Sequence, residues 1–173
     1  LELISSPNEG AITLLSILDR TSTAMGARML KRWMLLPLKD INPIQERHKI
    51  VAYFLNSINE LETLEDNLKK IGDLERMVSR LAALKISPRE MVQLKFSLKA
   101  IQPLKEYCEG SSSERLKKLG SHLNECTEAI QELETSLNDA APAVIGKGET
   151  ILTGLSAELD ELRSISSKGK DYL

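Results

Sequence analysis

With 173 residues, the chain is long enough for one sizeable domain rather than two. Its 42% apolar and 28% charged content fits a globular protein in water, and a 3% aromatic share with leucine in almost every segment favours helices over sheet. A formal net charge of −2 excludes a general attraction for phosphate backbones, so any nucleic-acid contact must come from a local patch.

From Ala11 to Leu18 a short apolar segment carries Ile12, Leu14, Leu15, Ile17 and Leu18. Thr21 and Thr23 are placed to cap a second helix, in which Met25, Met29 and Trp33 fall at i, i+4 and i+8. Leu30 and Met34 widen that stripe, and Trp33 is expected to anchor the core. Gly26 suggests a close approach by a neighbouring helix. Pro37 pushes Leu36 out of the helical region and ends the segment. Asn42, Pro43 and Gln45 then read as a cap, a first-turn proline and a capping-box partner, with Ile44, Val51, Phe54, Leu55 and Ile58 as the apolar face.

Ser57 and Glu60 repeat the capping-box spacing for a helix that buries Leu61, Leu64, Leu68 and Ile71 and stops at Gly72. Asp73 caps DLERMVSRLA, with Leu74, Met77, Val78 and Leu81 inward. The clearest start signal is SPRE at 87–90: serine cap, proline at the first position, glutamate at the third. Met91, Leu94, Leu98 and Ile101 follow on one face, and Pro103 kinks or ends this helix.

Leu116, Leu119, Leu123, Cys126, Ile130, Leu133 and Leu137 then alternate steps of three and four, the 3.5-residue repeat of one helix lying along a long neighbour. Buried Leu123 and Ile130 are expected along it. The segment 138–154, with Pro142 and three glycines, reads as a loop with one short hairpin near 143–153. A last helix carries Leu155, Leu159, Leu162 and Ile165. The expected fold is all-α: a helical bundle of about seven helices with little or no sheet.

Chemistry-bearing patterns are few. Cys108 and Cys126 do not combine with His48 and His122 at zinc-site spacing, and read as reduced thiols. GKGET at 146–150 fails the phosphate-loop pattern, because Lys147 is followed by glycine, and reads as a turn. Neither histidine stands near a serine–acid or cysteine–acid partner that would make it a base. The acids Glu158, Asp160 and Glu161 suit a hydrated helix start. Arg28, Lys31 and Arg32 share one helical sector, as a candidate nucleic-acid or interdomain contact or, more simply, as a solvated face or ion-pair partners. No apolar run reaches membrane-spanning length and no signal peptide is seen, and a cytoplasmic protein is expected. The first residues lack a methionine and the last helical pattern is still running at Leu173, as expected of a piece of a longer protein.

LDRTSTAMGARMLKRWMLLPLKD closely resembles the start of the core domain in the MutS family of DNA mismatch-repair proteins. The resemblance continues in order through LEL at 1–3, DLERMVSRLA at 73–82, SPREM at 87–91 and ELDELRSISSKGKDYL at 158–173. One departure lies in the loop before the last helix, where the family often has a Gly-Gly pair and an aromatic after the third glycine. Here Gly148–Glu149 and Leu155 stand instead.

The resemblance implies a core helical bundle over 1–110 and core/lever helices over 111–173, joined by the loop 138–154 and interrupted before the clamp, with long lever helices protruding. It implies a structural role, coupling the state of an ATPase domain to the position of a DNA clamp, and no enzymatic activity in this segment. ATP and magnesium would belong to the ATPase domain elsewhere. The implied partners are the ATPase, clamp and connector domains. For the full-length protein they are mismatched duplex DNA, MutL and a second copy. A free-standing helical adaptor with an exposed partner groove, and a direct DNA-binding module using the Arg28–Arg32 face, are the rival readings.

Overall fold

The computed structural model describes residues 3–5, 7, 8 and 10–170, with side chains to 166. It is all-α. Among the described residues the elements are α1 (Leu14–Leu18), α2 (Ala24–Leu35), α3 (Ile41–Leu55), α4 (Ile58–Lys69), α5 (Leu74–Ala82), α6 (Pro88–Lys99), α7 (Ile101–Gly110), α8 (Glu114–Gly120), α9 (Thr127–Ser136) and α10 (Ala157–Lys170). The only β pairing among them is one antiparallel bridge, Leu137 with Ile151, flanked by Asn138 N–H to Thr150 O at 2.9 Å and Leu152 N–H to Ser136 O at 2.9 Å. It closes the 138–152 loop at its base, so the hairpin expected near 143–153 is a single bridge set at the loop's root.

Local chemistry explains most helix starts. Thr23 accepts from Gly26 N–H at 3.0 Å, Asp73 accepts from Arg76 N–H, and Ser87 with Glu90 forms the full capping box with Pro88 at the first position. Two expected starts differ. Helix α3 begins at Ile41 behind Asp40, two residues before Pro43, so Asn42 already lies inside the first turn. Ser57 precedes α4 without a side-chain capping bond, and the Glu60 carboxylate, which would complete the box, is held by the Tyr53 hydroxyl. Pro103 sits in the first turn of α7, where its missing N–H leaves the helix bent at Ala100.

The core lies between α4, α6, α7 and α8. Ile71, Ala100, Leu104 and Cys108 form its centre, with Met25, Leu64, Leu68, Leu74, Tyr107 and Leu123 packed around it. Helix α8 crosses α7 so closely that a Cβ on Gly120 would lie 2.8 Å from Cys108 Cβ. Polar ties join α7 to α4 and to α3. The Tyr107 hydroxyl donates to Glu60 O at 2.8 Å, and the Ser111 hydroxyl donates to Tyr53 Oη at 3.0 Å.

The continuous helix expected from 116 to 137 is two helices. Helix α8 stops at Gly120, Asn124 Oδ1 accepts from Cys126 N–H at 2.8 Å, and Cys126 takes a left-handed φ of 52° before α9 begins. Glycine and the Ser121–Asn124 side chains favour such local turns over continued helix. The break lets Leu123 turn onto the core beside Cys108. The three–four spacing therefore joins two separate apolar faces, Leu116 on one helix and Ile130 with Leu133 on the next. Leu123 and Ile130 are half-buried rather than buried.

Candidate functional site

Helix α2 carries the basic sector, and its fate follows from where the bundle ends. Met25 packs on the core, but Met29 is 54% exposed and Trp33 42% exposed. The stripe is real, yet beyond Met25 only its Leu30 and Met34 side is half-buried, and Met29 and Trp33 lie outside the core. Trp33 is therefore not a core anchor. Its ring is covered by the Arg47 guanidinium of α3, 3.5 Å from the centroid, a cation–π contact at the surface. Gly26 faces Thr21 and Thr23 at its own helix start, with a Cβ there 3.0 Å from Thr23 Oγ1, so no neighbouring helix demands it.

The three basic residues of the sector do not act alike. Arg28 is committed: its Nη1 and Nη2 donate to Asp73 at 2.8 and 2.7 Å, and its Nε donates to Glu75 at 2.9 Å. The bidentate bond from Arg28 holds the Asp73 carboxyl down at about 2, aided by the Arg76 amide against the cost of desolvation. The same two carboxylates push the Arg28 guanidinium up. This network ties α2 to the start of α5, and Asp73 serves both as cap and as counter-ion. Lys31 and Arg32 are exposed, and neither makes an ion pair among the described residues. A cavity of about 510 Å³ opens beside them, lined by Met25, Met29, Arg32, Trp33 and Glu75.

The second notable place is the root of α10. Arg163 donates to Ile151 O at 2.8 Å and pairs with Asp160, and Asp160 accepts from Gly154 N–H at 2.7 Å. The loop they grip is itself fixed to α6. Lys95, a buried lysine, reaches Asp139, and Lys99 pairs with Glu134 of α9. Beyond its root, α10 exposes Leu162 at 58% and Ile165 at 60%. Sequence reading took Asp160 only as a helix-start acid. Arg163 stands near that acid in the sequence, whereas Lys95 and Arg47, which meet Asp139 and Trp33, leave no local pattern.

Elsewhere the chemistry is sparse. His48 and His122 are exposed on α3 and after α8. Cys108 is buried, and burial, with Glu109 nearby, pushes its thiol up. Gly146 and Gly148 in the GKGET turn have φ of 86° and 156°, backbone that glycine adopts freely. Among the described residues no group of three or more His, Cys, Asp or Glu is placed to hold a metal ion, and no helix is long and apolar enough to cross a membrane.

Residues 1–171 match the family described as MutS domain III. Over all 173 residues the chain is 47% identical to the DNA mismatch repair protein MutS of Bacteroides fragilis, spanning 20% of that protein. It is 48% identical to that of Flavobacterium psychrophilum, again over 20% of its length, and 44% identical to that of Porphyromonas gingivalis, over 19%. The chain thus spans about a fifth of the length of these curated relatives, each of them a DNA mismatch repair protein. With its helical bundle and a match running from one end to the other, the chain belongs to the MutS domain III family.

Proposed function

We propose that, inside a longer MutS protein, this domain is the mechanical core and lever segment: it couples the nucleotide state of an ATPase domain to the position of a DNA clamp. Residues 1–110 act as the fixed bundle; in the core/lever part, 111–173, α8 and α9 pack on that bundle and α10 carries motion outward. Its role is not catalytic. ATP and magnesium bind elsewhere in the longer protein, which works in the cytoplasm as a homodimer on mismatched duplex DNA, with MutL as partner.

The observation that carries this reading is the rooted, uncovered helix α10. Its base is clamped by Arg163, Asp160 and the Leu137–Ile151 bridge, and that base is tied to α6 through Lys95–Asp139 and Lys99–Glu134. A force on α10 is thereby delivered to the core rather than lost in a slack loop. Coupling between distant sites needs elements of this kind that shift as units. Lys31 and Arg32, without ion-pair partners among the described residues, are the residues of the basic sector available for a nucleic-acid or interdomain contact, whereas Arg28 already has two carboxylates.

The test is made in full-length protein. Arg163→Ala loosens the root while leaving ATP hydrolysis within about twofold, and slows the ATP-triggered release from a mismatched duplex about tenfold. Unchanged ATP-triggered release with the root broken overturns the coupling role. Lys31→Ala with Arg32→Ala separates the two uses of the basic face. A shallower salt dependence of duplex binding marks a phosphate contact, and an unchanged one marks an interdomain contact.

A further inference from the structure

Helices α5, α6 and α9 leave an apolar groove of about 470 Å³ between them. Leu94 and Leu98 of α6 form its floor, Val78 and Leu81 of α5 one wall, and Leu133 of α9 the other. The walls are open: Val78 is 51% exposed and Leu81 37%. Just past α5, Leu84 is 90% exposed and sits in the left-handed region with φ 54°. A leucine in that conformation costs about 1 kcal/mol, and here no burial offsets it within the chain.

Charge marks one flank. Glu132 lines the groove, and Glu128 lies one turn earlier on the same side of α9. Neither has an ion-pair partner among the described residues, whereas Glu134 is paired with Lys99 and Glu125, just before α9, with Lys105. Glu134 and Glu125, which do not line the groove, are neutralised, and Glu132, which does, has no ion-pair partner among the described residues.

We propose that this groove is the docking site for an amphipathic helix with lysine or arginine along one flank, supplied by the part of the longer MutS protein outside these 173 residues. An apolar channel between helices takes the i, i+3, i+4, i+7 face of such a helix, and its basic flank meets Glu128 and Glu132. The source follows from length. The relatives extend over about five times this chain, and a segment of the same polypeptide reaches the groove at an effective concentration that no separate partner matches. The proposal rests on the chain working within a longer MutS protein, but not on the lever coupling.

The experiment uses purified full-length protein with photoreactive benzoylphenylalanine in place of exposed Val78. The expected product is a cross-link within one polypeptide, to a peptide outside residues 1–173 that carries at least two basic residues at helical spacing. Glu128→Lys with Glu132→Lys lowers its yield by about threefold or more. Glu62→Lys, on exposed α4 surface, leaves the yield unchanged. Both acids are exposed, so an unchanged melting temperature for the charge-reversed variant keeps folding out of the result. Cross-links confined to residues 1–173, to a second copy, or to a peptide without basic residues overturn the proposal. So does the absence of any cross-link, or a yield insensitive to charge reversal. A failed cross-link with intact ATP-triggered DNA release overturns the groove alone.

Discussion

The hub around α7 and the N-terminal helix α2 have the same kind of sequence and opposite fates. In the hub, apolar side chains meet one another: Leu104 packs with Ile71, Ala100 and Cys108 and is 8% exposed, and Leu116 on the adjoining α8 is 4% exposed. On α2 the stripe of Met25, Met29 and Trp33 is just as regular, yet it runs off the bundle after its first turn, and the linker beyond exposes Leu36 at 69%. Helix α10 repeats the second case with Leu162 and Ile165. Periodicity tells which side of a helix is apolar. Whether anything lies against that side depends on elements far away in the chain or outside it.

Truncations give the largest contrast. Leu104→Ala or Leu116→Ala should cost about 2–5 kcal/mol, whereas Leu36→Ala should stay within about 0.5 kcal/mol, measured by urea unfolding of the isolated chain. Gly120→Ala tests the hub from the other direction. Its new Cβ would press on Cys108 Cβ and lie 3.2 Å from Glu109 N, so α7 and α8 must part, at about 1–3 kcal/mol. A Leu36→Ala cost equal to that of Leu104→Ala would erase the distinction between hub and arm.

Within the hub, helix caps give a smaller contrast, between a formed cap and an unformed one. Ser87→Ala removes a formed capping box and should cost about 1 kcal/mol, while Ser57→Ala, at a start without a side-chain bond, should cost only a few tenths. Thermal unfolding of both variants checks this.

The smallest effect sharpens the tie between α2 and the bundle. Arg28 lowers the Asp73 carboxyl to about 2 in the folded chain, below its value of about 3.9 in an unfolded one. A depressed carboxyl contributes stability above the unfolded value, and that stability is lost as pH falls from about 4 to about 2. Asp73→Asn should therefore flatten the acid limb of the stability curve in that window and change little in its slope between pH 6 and 8.

Much of this was legible in the residues. The all-α class, the SPRE start, the Asp73 and Thr23 caps and the stop before Pro37 all follow from local chemistry, and the structure has each of them. The family was legible because its motifs run in order along the whole chain. The break at 121–126 was not, since a left-handed Cys126 has no compositional mark and the apolar spacing happens to bridge it. The ion pairs that organise the candidate sites were also hidden. Arg28 lies 45 positions from Asp73 and Lys95 lies 44 from Asp139, and only the fold brings them together.

Amide hydrogen exchange tests the contrast between hub and arms most directly, by comparing the isolated 173-residue chain with the same residues inside a full-length MutS protein. Amides of α6 and α7 should be equally slow in both, while those of the second half of α2 and of α10 should exchange fast in the isolated chain and become strongly protected in the longer one. Equal protection of α2 and α10 in the two settings would contradict the claim that their exposed apolar faces are seats for the rest of the protein.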